Sequence, residues 1–280
     1  MRCKHFLCVL ILSFLTLNTH AFTTGGRYFD RAIFVVFENT NYSTALQQPF
    51  FKKLADNGAL FTNFFALVHP SQGNYVALTS GDLNGVDSDK RFDVNVDNVV
   101  DLLEAKCLTW KVYAENYPGH CFTGMSSGDY GRKHNPFISY VNIQKNPARC
   151  ANIIEAAQFD RDAASGNLPN YIFYIPNVKN DGHDLGVGFA DRWYARKFSK
   201  YVSDTAFMQN TILVSTFDES KTSSPKNQIY TTIVGGNVRP GKYPDTLTIP
   251  SLLKLIEDNW GLENLGKQDV TSNPIPNIWK

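Results

Sequence analysis

The stretch Arg31-Ala-Ile-Phe-Val-Val-Phe37 is apolar at every position after the arginine, with β-branched and aromatic side chains next to one another. A strand with one wet face alternates polar and apolar residues. A continuous apolar run belongs to a strand covered on both faces, the environment of a parallel sheet. Tyr171-Ile-Phe-Tyr-Ile175 and Thr211-Ile-Leu-Val-Ser-Thr-Phe217 read the same way. Further extended segments are expected over residues 60–67, 108–114 and 229–234. Helices are expected over 43–57, closed by Gly58, over 71–80, ended by Gly81, over 99–105 and 190–202, and over 249–259, stopped by Gly261. Strands alternating with helices predict one domain over residues 22–280, a three-layer α/β/α sandwich with a mostly parallel central sheet. Residues 116–138, rich in Gly, Ser, Pro and Asn, read as a long functional loop.

Residues 1–21 stand apart from this pattern. Arg2 and Lys4 give a positive start, an apolar run too short to span a bilayer follows, and Thr19-His20-Ala21 has the small-residue form of a cleavage site. This is the order of a secretory signal peptide, so the protein is expected to be secreted or periplasmic, with no transmembrane anchor. Its removal leaves 25 Lys and Arg against 26 Asp and Glu, a near-neutral chain with no cationic excess for nucleic acid. Three cysteines remain, Cys107, Cys121 and Cys150, so at most one internal disulfide forms, either Cys107–Cys121 or Cys121–Cys150. Four histidines remain, His69, His120, His134 and His183. Nothing in the pattern speaks to oligomeric state.

Ligands of open α/β sheets sit beyond the carboxyl ends of the strands. Two of the apolar runs stop abruptly there in oxygen donors: Glu38-Asn39 after the first, Asp218-Glu219 after the Thr211 run. Three carboxylates on neighbouring strand ends repel one another unless a cation holds them. An oxygen donor set favours Ca, Mg or Mn, while Zn, the fourth candidate, usually brings histidine or thiolate. Pro70 keeps His69 out of helical geometry and puts Ser71 in the first turn of the next helix, among free backbone N–H groups where a phosphate or an alkoxide is stabilised. Asn180-Asp-Gly-His-Asp184 follows the Tyr171 strand, where His183 could be an acid, a base or a ligand and Asp181 and Asp184 could orient it or bind a second ion.

Four segments taken in order, Phe-Glu-Asn-Thr-Asn-Tyr (37–42), His-Pro-Ser-Gln-Gly-Asn-Tyr-Val-Ala-Leu-Thr-Ser-Gly (69–81), Lys-His-Asn-Pro-Phe (133–137) and Thr-Phe-Asp-Glu (216–219), resemble the phosphoesterase family of bacterial acid phosphatases and phospholipases C within the alkaline phosphatase superfamily. The likeness covers nearly all of the mature chain, and its short form, with a Cys-containing Gly/Ser loop before Lys133, looks more like the secreted acid phosphatases. The resemblance implies an alkaline-phosphatase-like fold and hydrolysis of phosphate monoesters, small-molecule or lipid, through a phosphoserine at Ser71. It implies metal ligation by Glu38, Asn39, Ser71, Asp218 and Glu219, active-site roles for His183 and His134, with His183 protonating the leaving alcohol, and substrate contacts from Asn74 and His69.

One position departs from the family. Where it carries a histidine ahead of Tyr-Ser-Leu-Leu, this chain has Ile249 in Thr248-Ile-Pro-Ser-Leu-Leu253. That weakens the case for a two-metal site. Two other outcomes stay open: a phospholipase C-type phosphodiesterase on the same core, and a binding protein for phosphate esters that has lost turnover.

Overall fold

A computed structural model describes residues 25–222 and 226–280; the expected leader, residues 1–21, lies outside the described residues. Eight strands form the central sheet: β1 (Arg31–Phe37), β2 (Ala59–Phe65), β3 (Trp110–Ala114), β6 (Ile153–Glu155), β7 (Tyr171–Ile175), β8 (Thr211–Phe217), β9 (Thr231–Gly235) and β10 (Gly241–Thr248). A two-residue ribbon, β4 (Ser126–Ser127) with β5 (Tyr130–Gly131), stands apart within the long loop. The strand order is β10-β2-β9-β8-β1-β7-β3-β6. Only β9 runs against its neighbours; the other pairings are parallel. β7 and β8 are buried at every residue and β1 at all but Arg31, as their unbroken apolar runs require.

Helices flank the sheet: α1 (Tyr42–Leu46), α2 (Pro49–Asn57), α3 (Ser71–Ser80), α4 (Val99–Ala105), α5 (Val141–Gln144), α6 (Pro147–Cys150), α7 (Gln158–Ala164), α8 (Val187–Val202), α9 (Thr205–Met208), α10 (Ile249–Trp260) and α11 (Gln268–Thr271). The single helix expected over 43–57 is two. Pro49 has no N–H to donate and holds Gln48 extended (ψ 139°), so the chain stops and restarts. No side chain of Gln48 caps α2; instead buried Asp191 of α8 accepts the Phe50 and Phe51 N–H groups, both at 2.9 Å.

Two strands of the central sheet lie outside the expectation. β6, Ile-Ile-Glu, is too short to stand out as a run, and β10 is a largely exposed edge strand interrupted near Pro244 that carries no apolar signature. Helix α10 begins with a Thr248–Ser251 capping box and ends at Gly261, whose φ of 58° suits glycine. Of the two disulfides left open, Cys121–Cys150 is the one formed, and Cys107 is an exposed thiol. Beneath the carboxyl ends of β1 and β8 lies an aromatic floor. Phe37 packs edge-on against Phe51 and Tyr194, at 4.9 and 4.8 Å between ring centres, and 5.5 Å from Phe217. The residues that immediately follow Phe37 and Phe217 are therefore anchored on a packed core.

Candidate active site

β1 and β8 pair in register from Arg31–Thr211 to Phe37–Phe217. The next residues, Glu38 and Asp218, consequently leave the sheet side by side, and the Asp218 N–H still donates to the Phe37 carbonyl at 2.9 Å. Both side chains are buried. Asn39 ties the two strand ends together: its backbone N–H donates to Asp218 Oδ1 at 3.0 Å and its side-chain amide to Glu219 Oε1 at 2.6 Å.

Helix α3 enters from above. Every residue of it is buried, and its first is Ser71. The Ser71 hydroxyl lies 3.1 Å from Glu38 Oε2 and 3.2 Å from Glu219 Oε1. Gly73 lets the helix in: a Cβ there would stand 2.9 Å from the Val86 carbonyl. One turn on from Ser71, the Tyr75 hydroxyl donates to Glu38 Oε1 at 3.1 Å. His134 lies between two carboxylates, its Nε2 2.9 Å from Glu38 Oε1 and its Nδ1 3.1 Å from Asp181 Oδ2. Lys133 pairs with Asp89 at 3.0 Å and lies 4.0 Å from Glu38 Oε2, while Asp89 accepts the Gln72 N–H at 3.1 Å.

The expected set is thus largely brought together: Glu38, Asn39, Ser71, His134, Asp218 and Glu219 form one constellation, and His69 joins it by an ion pair with Glu219. His183 is on the exposed rim, its ring 6.5 Å from that of His134 and its Nδ1 2.8 Å from Asp184. Asn74 is placed differently from its expected substrate role. It is buried, its Oδ1 accepts the Leu67 and Val68 N–H groups, and its amide donates to the Val68 carbonyl, so it shapes the turn that carries His69. Asp181, read as a partner of the His183 ring, instead pairs with His134 and accepts the His183 backbone N–H at 2.8 Å. Tyr75 was legible only as a residue four positions after Ser71.

Charges in this pocket are strongly coupled. Burial alone would raise the Glu38 carboxyl, but the adjacent His134, with help from Lys133, holds it down to about 2. Burial would lower His134, yet Glu38 and Asp181 push it up to about 10. Each of the two groups thus favours the charged form of the other. Asp218 is driven well above the usual carboxylate range, first by burial and then by the charges of Glu38 and Glu219. Glu219 is raised by burial, against the opposing pull of His69.

Among the described residues, no three His, Cys, Asp or Glu side chains close around a common centre as a ready cage. The donors nevertheless suit a hard divalent cation: they are oxygens, they carry excess negative charge, and buried Asp218 Oδ2 has no hydrogen-bond partner. Ile249 is buried at the first position of α10, an apolar side chain without donor capacity.

The fold is that of the alkaline phosphatase superfamily. The chain superposes on a member of that superfamily from Vibrio parahaemolyticus with a TM-score of 0.60 at 14% identity, covering 90% of this chain and 72% of that one. It superposes on the phosphonate monoester hydrolase of Agrobacterium radiobacter with a TM-score of 0.56 at 12% identity, covering 89% and 78%. Within that fold class the sequence model of the phosphoesterase family matches residues 30–263, and the chain belongs to this family. It is 36% identical to a probable acid phosphatase of Kluyveromyces lactis, covering 89% of this chain and 62% of the relative. To an acid phosphatase of Aspergillus fumigatus it is 36% identical, covering 89% and 58%. To a phosphatidylinositol-3-phosphatase of Mycobacterium tuberculosis it is 33% identical, covering 90% and 83%. The chain thus spans about three fifths of the two fungal relatives.

Proposed function

We propose that this chain is a metal-dependent acid phosphatase that hydrolyses phosphate monoesters through a phosphoserine at Ser71. The observation that carries the reading is the Ser71 hydroxyl held between Glu38 Oε2 and Glu219 Oε1 at the first position of a buried helix. Ser71 Oγ attacks phosphorus as its proton passes to Glu219, whose Oε1 already accepts the hydroxyl at 3.2 Å. The N–H groups of the first turn of α3 other than that of Gln72, which Asp89 accepts, together with Lys133 stabilise charge on the non-bridging oxygens. The leaving alcohol takes a proton from His183, and water then cleaves the phosphoserine. A divalent cation among Glu38, Asn39, Ser71, Asp218 and Glu219 supplies, when bound, charge neutralisation and a lower pKa for the serine hydroxyl. His69, paired with Glu219, sits at the edge where an ester oxygen would be received.

The phosphatase names of relatives at 33–36% identity support the monoester reading. Export is part of the same proposal. The Cys121–Cys150 disulfide suits an oxidising compartment.

The test compares wild type with Ser71→Ala on 4-nitrophenyl phosphate and bis(4-nitrophenyl) phosphate at about pH 5, where histidine is protonated, with and without EDTA. Monoester hydrolysis that falls on the order of 10³-fold or more in Ser71→Ala, and that chelation abolishes, supports the proposal. Undiminished turnover in Ser71→Ala removes the nucleophile. Preference for the diester transfers the chain to the phospholipase C type, and silence on both esters makes it a binding protein.

A further inference from the structure

Glu115 directly follows β3 and does not touch the constellation around Ser71. Its carboxylate nevertheless carries the loop that completes it. Oε1 accepts the Trp193 indole N–H of α8 at 3.0 Å and the Tyr174 hydroxyl at 3.4 Å. Oε2 accepts the Asn177 backbone N–H at 3.0 Å and the Asn180 side-chain amide at 2.6 Å. The Glu115 backbone N–H donates to Ile175, the last residue of β7, at 2.9 Å. Asn177 then organises the turn from within: its carbonyl accepts the N–H groups of Asn180 and Asp181, both at 2.9 Å, and its Oδ1 accepts those of Lys179 and Asn180.

From this turn the chain sends Asp181 to the buried side and His183 to the rim. Asp181 points inward to His134, and its carbonyl accepts the Glu38 N–H at 3.0 Å. Gly182 follows at φ 100°, a conformation that side chains resist, and so turns His183 outward to the rim. The loop closes with the Asp184 N–H donating back to the Val178 carbonyl at 3.0 Å. We propose that Glu115 is a positioning residue for the leaving-group acid, fixing the 177–184 loop in the arrangement that sends Asp181 to His134 and His183 to the mouth of the site.

A carboxylate is required because every one of its partners is a donor. A glutamine of the same shape would turn an NH2 group against an N–H. Placement matters because proton donation depends on the approach of one ring nitrogen to one ester oxygen, and small misplacements cost much of that assistance. The inference rests on His183 as the acid proposed above.

The experiment separates positioning from folding by leaving-group chemistry. 4-Nitrophenolate departs with little protonation, whereas an alkoxide needs a proton. Wild type, Glu115→Gln, His183→Ala and the double variant are assayed on 4-nitrophenyl phosphate and glycerol 2-phosphate, each variant first checked for native thermal unfolding. In Glu115→Gln the ratio of kcat/KM for glycerol phosphate to that for the aryl ester should fall about 10- to 100-fold, with the change in kcat and not in KM. His183→Ala should show the same selectivity, and Glu115→Gln should add little on the His183→Ala background, as expected for residues acting through one group. Equal losses on both esters in Glu115→Gln, with selectivity retained in His183→Ala, overturn the positioning role and leave the acid in place. Absence of selectivity in His183→Ala overturns the acid assignment, and the inference falls with it. A Glu115→Gln protein that does not fold is replaced by Asn180→Ala, which removes one donor from the same carboxylate and is held to the same criteria.

Discussion

Ser71 Oγ and Glu38 Oε2 lie 3.1 Å apart although 33 residues separate them in the chain. One is the first residue of a buried helix and the other the first residue past a buried strand, so both positions are set by backbone geometry beneath them. The hydroxyl is presented to two carboxylate oxygens in a place where water is largely excluded. That environment strengthens every electrostatic interaction in the site.

Tyr75→Phe tests how far Glu38 depends on its second support. The ring stays, together with its stacking on His134 at 5.5 Å between centres, and only the 3.1 Å hydrogen bond to Glu38 Oε1 is lost. A bond to a charged group of this kind is worth about 1.5–3 kcal/mol, so kcat should fall about tenfold or more while the variant still folds. A change confined to KM would show that Tyr75 acts on substrate binding and not on Glu38.

Asp218→Asn should separate stability from function. The substitution keeps an acceptor for the Asn39 N–H but removes a charge that burial and the neighbours Glu38 and Glu219 all disfavour. In chelated protein the melting temperature should rise by about 2–4 °C, equivalent to about 1 kcal/mol in a chain of this size. Phosphatase activity and bound divalent metal, measured by elemental analysis, should both drop sharply. Unchanged metal content would remove Asp218 from the proposed ligand set.

Glu257 sets a pH dependence away from the site. It lies in α10 near buried Asp269 of α11, its Oε1 has no hydrogen-bond partner, and burial followed by the Asp269 charge pushes its carboxyl up to about 8 from an ordinary 4.5. A carboxyl raised in this way stabilises the fold in its protonated form. That stability is complete below about 4.5 and is lost as the pH climbs through about 8. Denaturant unfolding should therefore show stability declining from acid to mildly alkaline pH. Glu257→Gln should flatten the decline, recovering about 2 kcal/mol at the alkaline end. An identical pH profile in the variant would exclude Glu257 as its source.

Much of this arrangement is legible in the amino-acid sequence. The runs at Arg31, Tyr171 and Thr211 had no polar face to offer solvent, so their burial and parallel pairing followed, and the oxygen donors after two of them fell where such sheets hold ligands. Ser71 was legible because Pro70 marks a helix start and Gly81 its end. What stayed hidden has local causes. β10 is an edge strand whose polar residues read as loop. Asn74, on the helix beside Ser71, looks like a ligand contact in one dimension, and only the turn formed by Leu67 and Val68 reveals that its amide is already engaged. Glu115 leaves no motif, since its four partners come from β7, the following loop and α8. Between the two disulfides that spacing allowed, only the three-dimensional approach of Cys121 to Cys150 could decide.

The in-register pairing of β1 with β8 also limits where this chain can vary. Deleting one residue from either strand would draw its terminal carboxylate back by about 3.3 Å and turn it to the opposite side of the sheet. Beyond Asn39 and Glu219 the two connections are tied to each other: the Thr40 N–H donates to the Glu219 carbonyl at 3.2 Å, and Asn41 Oδ1 accepts the Lys221 N–H at 3.1 Å. The two strand ends and the connections that leave them therefore behave as one unit, and a change of length in either is transmitted to the other through these bonds.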